Sequence, residues 1–209
     1  MRSKNRPDGQ STFVEKARRR QIIDATVTTV ARDGFAAATL SQIAVEAGVS
    51  KGLISYHFAD KRELMIAVVG TVGERVFVHV HQRLDPASPP AERLRALIIR
   101  SAAYGVDHWE EIVAFGDIVL NLRDADGTLH FTLAGYEASY AFVASLVRAG
   151  QRDGSIGTVD ARVFAITFQS AIDAMFGYKR LNPEHDLAAH AEALADLLVD
   201  SITNPRRTP

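Results

Sequence analysis

The chain has no cysteine in its 209 residues. That excludes a disulfide framework, a thiolate metal site and a cysteine nucleophile, and it is compatible with a reducing compartment. No phosphate-cradling glycine-rich loop or dinucleotide fingerprint is present either. Long hydrophobic runs are missing too. The apolar stretch from Leu64 to Val72 is short for a bilayer span, and no continuous apolar segment precedes Gln21 as a cleaved secretory signal requires. The location expected on these grounds is cytoplasmic, with no membrane partner. His79 and His81 lie two apart and His185 and His190 five apart, spacings that do not converge on one helix face, so no metal is expected. With no catalytic triad in view, neither an enzyme activity nor a cofactor is expected.

Net charge is −1, but its distribution is uneven. Residues 1–62 hold eleven Lys and Arg against six Asp and Glu, whereas residues 63–209 hold thirteen against nineteen. A basic head on an acidic body suits a molecule that offers one end to phosphate. The apolar periodicity is helical throughout, with no alternating stretch bounded by turns, so the fold class is all-α. About nine helices are predicted: 13–32, two within 39–58, 60–84, 89–106, 108–122, 126–152, 158–181 and 187–203. Two domains follow, a three-helix head over 1–62, whose residues 1–12 form a flexible basic arm, and a helical body over 63–209.

Residues 39–64 are the most specific segment. Thr39 and Gln42 have the spacing of a capping box, and Gly48 stands where a helix needs a left-handed residue to stop. Ser50 caps a second short helix in which Ile54 and Phe58 share the core side. Lys51, Gly52 and Ser55 lie opposite, with no bulk to bury. Two short helices joined by so tight a turn form a helix-turn-helix, whose second helix fits the DNA major groove. Lys51 can meet a base edge or a phosphate, and Ser55 can approach a base with little steric demand. Ser41 and Gln42 begin the preceding helix, whose N–H groups can receive a phosphate, and Lys61 is a further phosphate candidate. Gly48 to Gly52 also fits the Gly-x-Ser-x-Gly elbow of hydrolases, but that motif needs a preceding strand where this chain has a capped helix.

The run Gly48-Val49-Ser50-Lys51-Gly52, followed by Ile54, Tyr56, His57, Phe58 and Asp60-Lys61, resembles the DNA-binding domain of TetR/AcrR-type transcriptional regulators. The likeness extends back through Arg20 to Ala25 and Gly34 to Leu40, and covers roughly residues 14–70. It implies that Tyr56 and His57 either touch the DNA backbone or pack within the head, and that the last two helices pair two copies, because dimers read paired half-sites. Phe164, Ile166, Ala171, Met175, Leu187, Ala191, Leu194, Leu197, Leu198 and Ile202 are the stripe available for that pairing, or for a monomer core. The expected function is a homodimeric repressor on a pseudo-palindromic operator in double-stranded DNA, released by a small-molecule effector. In the body, Tyr104, Trp109, Phe115, Tyr136, Tyr140 and Phe176, with Asp117, Glu137 or Asp173 as polar anchors, are candidates for a pocket taking a cationic or amphipathic effector. The alternative is an activator or architectural DNA-binding protein whose body binds a protein partner.

Overall fold

Helix starts fall where the chain supplies capping side chains. In the computed structural model, which describes residues 13–203, Thr39 Oγ1 accepts the Gln42 N–H while the Gln42 side chain accepts back from Thr39, opening α2 (Leu40–Glu46) after α1 (Phe13–Asp33). Ser50 accepts the Leu53 N–H and opens α3 (Lys51–His57), and Asp60 accepts the Glu63 N–H and opens α4 (Lys61–His81). Pro90, whose missing N–H is no loss in a first turn, begins α5 (Pro90–Asp107). It is followed by α6 (Trp109–Asn121), α7 (Glu137–Asp153), α8 (Ala161–Leu181), which Asp160 caps, and α9 (Leu187–Thr203). Gly34 and Gly48 take positive φ (+86° and +61°) and turn the chain sharply after α1 and α2.

Among the described residues the fold is nine α-helices, one 3₁₀ turn at Leu133–Tyr136 and one isolated bridge between Arg123 and Leu129. All-α is therefore the observed class. One predicted element differs: within the expected helix 126–152, residues 126–132 are not helical, 133–136 form the 3₁₀ turn, and the α-helix starts only at Glu137. Gly127 adopts φ +84°, Asp126 binds both the N–H and the hydroxyl of Thr128, and the Asp124 N–H pairs with the Thr128 carbonyl. These short-range bonds compete with helix and fold the segment into a tight turn. Phe131 then packs against the head core. The arm predicted at 1–12 lies outside the described residues.

Two hydrophobic cores share one spine. The head core joins Ile22, Ile23, Val27 and Val30 of α1, Ile43, Ile54 and Phe58, and then Leu64, Met65, Val68 and Val72 of α4 with Ala114 and Ile118 of α6. The body core is built from α5, α7, α8 and α9, with Val80 at the far end of α4. Thus α4 crosses from one core to the other. It has 21 residues and an 18-residue window of mean hydropathy 1.3, so by length and composition it is long and apolar enough to cross a membrane, which the Leu64–Val72 stretch alone is not; Leu64, Met65, Val68 and Val72 are instead buried in the head core and Val80 in the body core.

Candidate nucleic-acid interface

The strip from Ser50 to Tyr56 is open. Ser50, Lys51, Gly52, Ser55 and Tyr56 are exposed, Leu53 and His57 are half-buried, and Ile54 and Phe58 on the opposite side are 0% and 1% exposed. Burying two large apolar side chains at four-residue spacing fixes which side of this short helix faces out. Ser41 and Gln42 are exposed at the start of α2, though the Gln42 carbonyl oxygen is already engaged by the Thr39 N–H and hydroxyl. The Tyr56 hydroxyl lies 3.4 Å from a Glu15 carboxylate oxygen, and its ring meets His57 edge-on.

Helix α1 holds the motif in place. Gln21 Nε2 donates to the Ala47 carbonyl at 2.7 Å, where α2 ends, and Arg19 donates to the His57 carbonyl at 3.1 Å, where α3 ends. The last carbonyls of a helix lack intrahelical partners, so one helix here supplies partners for two. Arg19 also lies 4.2 Å from the centroid of the Phe58 ring. In the sequence Arg19 is one cation of a cluster from Lys16 to Arg20, and its special role is visible only once α1 crosses α3. Lys16, Arg20 and Lys51 are exposed and have no ion pair among the described residues. Lys61 is differently placed from a free surface cation. Its ammonium donates to the Phe35 carbonyl at 2.6 Å and sits over the Phe35 ring, and burial pushes its amine below the ordinary lysine value.

The candidate effector residues make their contacts in different parts of the protein. Phe115 belongs to the head core beside Gly73. Asp117 accepts the Phe35 N–H at 2.6 Å, which turns its carboxylate toward the head. Tyr104 is buried and donates to Glu111 at 2.5 Å, Trp109 is half-buried at the start of α6, and Phe176 packs on Gly105 and Leu187. Glu137 is held in a two-pronged pair with Arg162, whose guanidinium also covers the Tyr140 ring. What does converge is Tyr136, Tyr140 and Asp173. The two rings stack with centroids 5.9 Å apart, Asp173 hydrogen-bonds Tyr136, and Gln169 donates to Asp173 at 3.0 Å. Surface recesses of about 740 Å³ along α1 and 320 Å³ between α8 and α9 include none of the nine candidates.

Asp173 is exposed, yet the protein packed around its inner side disfavours the ionised form and raises its carboxyl above the ordinary aspartate value, against the pull of Gln169 and Tyr136. A carboxyl raised on folding stabilises the fold below its unfolded value, and that contribution is lost as pH rises through the folded one. Asp173→Asn, which keeps an acceptor for Tyr136, should therefore raise the melting temperature at pH 7. The gain should vanish as pH falls toward about 3.9. Thermal melts across pH check this; a gain independent of pH would exclude the ionisation as its source.

The histidines also depart from the sequence reading. His185 lies in the loop before α9, so His185 Nε2 and His190 Nδ1 do meet, 2.8 Å apart, beside Tyr178. No group of three or more metal-binding side chains occurs among the described residues.

Residues 22–68 match the family model described as bacterial regulatory proteins, tetR family. Over those residues the chain is similar to the DNA-binding heads of TetR-family regulators. Among curated proteins, the HTH-type transcriptional regulator BetI of Cronobacter sakazakii is 40% identical over 86 residues, covering 41% of this chain and 43% of BetI. The chain thus matches less than half the length of such relatives. Two solved structures carry the TetR fold across nearly the whole chain. The fatty acid degradation regulator FadR of Bacillus halodurans superposes with a TM-score of 0.78 at 20% identity, covering 96% of this chain and all of FadR. AibR, solved with isovaleryl coenzyme A and operator DNA, gives 0.72 at 21% identity, covering 90% and 99%.

Proposed function

We propose that the protein is a homodimeric transcriptional repressor that binds a pseudo-palindromic operator and is released by a small-molecule effector. The observation that carries this reading is the outward strip Ser50–Tyr56, backed by buried Ile54 and Phe58. Two such strips would enter successive major grooves about 34–36 Å apart, or at a multiple of that distance. The domain division used here, a head over 1–62 and a body over 63–209, assigns DNA to the first and pairing and effector to the second.

Pairing is supported on α8 and α9 by only part of the stripe read in the sequence, Ile166 and Leu197, which are exposed. Phe164, Met175, Leu187, Ala191, Leu194 and Ile202 are buried in the protomer's own core. Val163, Ile166, Ser170, Ala174, Gly177 and Leu181 are all exposed, and at 100° per residue they fall on one face. Leu197 on α9 is 68% exposed. The small residues at the middle of the α8 stripe let a second helix approach closely. For the effector, Asp173 with Tyr136 and Tyr140 is the subsite that favours a cationic or amphipathic molecule. An acyl coenzyme A, as in AibR, is the second reading that fold likeness brings in.

Lys51→Ala should weaken binding to an operator duplex by about 10-fold, and should flatten the slope of log affinity against log salt by about 1. Stability should stay unchanged because Lys51 is exposed. Fluorescence anisotropy over a salt series reads both effects. An unaltered slope and affinity would remove Lys51 from the interface.

A further inference from the structure

One carboxylate links three parts of the molecule. Asp117 on α6 is 13% exposed at its side chain, and its two oxygens face different ways. Oδ2 accepts the Phe35 N–H in the turn between α1 and α2, and Oδ1 accepts Arg180 Nη2 at 3.2 Å from the last turn of α8, with Asn121 Nδ2 at 3.3 Å. Gly34 makes the first contact possible, because its left-handed φ of +86°, which favours glycine, turns the next N–H toward α6. The Phe35 carbonyl is taken by Lys61 at the start of α4. Both backbone polar groups of Phe35 are therefore clamped, one from the body and one from the helix that follows the recognition helix.

Other polar ties between head and body are more exposed or lie elsewhere. Arg62 pairs with Asp124 in the loop after α6, but those side chains are 45% and 37% exposed, where solvent screens most of the attraction. Arg75 joins Asp24 and Glu111 far from the turn that leads into α2. Asp117 has the sheltered charge, the short bond and the position beside the motif. Arg180, its other partner, adjoins Leu181 at the end of the exposed α8 stripe.

We infer that Asp117 is a positioning residue for DNA recognition, resting on the dimeric regulator reading above. By tying the end of α8 to the turn before α2, it sets the angle of each head relative to the pairing face. It thereby sets the separation of the two recognition strips. A residue that merely supported folding would change stability without changing which operator spacing is preferred.

The test uses the full-length protein and a duplex that the wild type selects from fragments of its own genome, with versions carrying one base pair added or removed at the centre. The wild type should prefer the native spacing strongly. Asp117→Ala should lower affinity for the native duplex at least 10-fold while affecting the altered ones less, so that the preference flattens. Arg180→Ala leaves the Asp117–Phe35 bond in place and should flatten it in the same direction, Arg180→Lys should retain it, and Arg95→Ala, which breaks a surface pair with Asp196 and Glu192, should leave it intact. If the wild type selects a duplex but Asp117→Ala and Arg180→Ala keep its spacing preference, the positioning role is overturned and the regulator reading stands. A wild type that selects no duplex overturns both.

Discussion

Ala174→Arg should separate a paired molecule into single copies and lower operator affinity by about 10²–10⁴-fold. Ala174 is exposed at the centre of the α8 face formed by Val163, Ile166, Ser170, Gly177 and Leu181. No atom lies within 4 Å of a Cβ placed at Gly177, one turn away, so a long charged side chain costs the isolated protomer little. Across a two-fold contact the same side chain meets its own copy, placing like charges together and driving bulk into a close helix crossing. Two linked heads bind with the affinity gain of an effective concentration, and single heads lose it. Light scattering should give a protomer mass with unchanged circular dichroism. If the variant kept a dimeric mass and full affinity, α8 would not be the pairing face.

Phe58→Ala should cost about 3–5 kcal/mol, the usual range for deleting a fully buried phenylalanine ring. Phe58 is 1% exposed, ends α3 and packs in the head core, and its ring carries the Arg19 guanidinium. Truncation leaves a void under the recognition helix and removes the surface on which Arg19 rests while capping it. For a chain of this size the loss corresponds to a drop in melting temperature of roughly 6–20 °C. DNA binding should fail well below the temperature at which the body helices melt, because the head core carries the damage. A shift under 2 °C would mean that the ring is not packed as described.

The helix-turn-helix was legible because its determinants are local. The capping pairs Thr39–Gln42, Ser50–Leu53 and Asp60–Glu63 act within three residues, and Gly48 sits one residue from the helix end it closes. The candidate effector residues were less legible, since aromatic stripes at helical spacing do not say whether they face a cavity, a sister helix or the head. Phe115 and Asp117 both turned to the head, for contacts 82 residues distant in the case of Asp117 and Phe35. Helix α8 is apolar on two sides, so periodicity could not tell which side its own protomer covers. Residues 126–128 of the turn at 124–128 fall within the predicted helix 126–152 because the residues after them keep helical spacing. What decides it is Asp126 and the left-handed Gly127, whose bonds outcompete a first helical turn.

The double anchorage by α1 has a consequence for how binding preference can drift between related chains. Arg19 and Gln21 grip backbone carbonyls, and Ile54 and Phe58 fill the interior, so none of the outward residues Lys51, Ser55 and Tyr56 is needed to keep the motif assembled. Substitutions on that outer row can therefore retarget the protein to new base sequences while the scaffold beneath stays as sturdy as before.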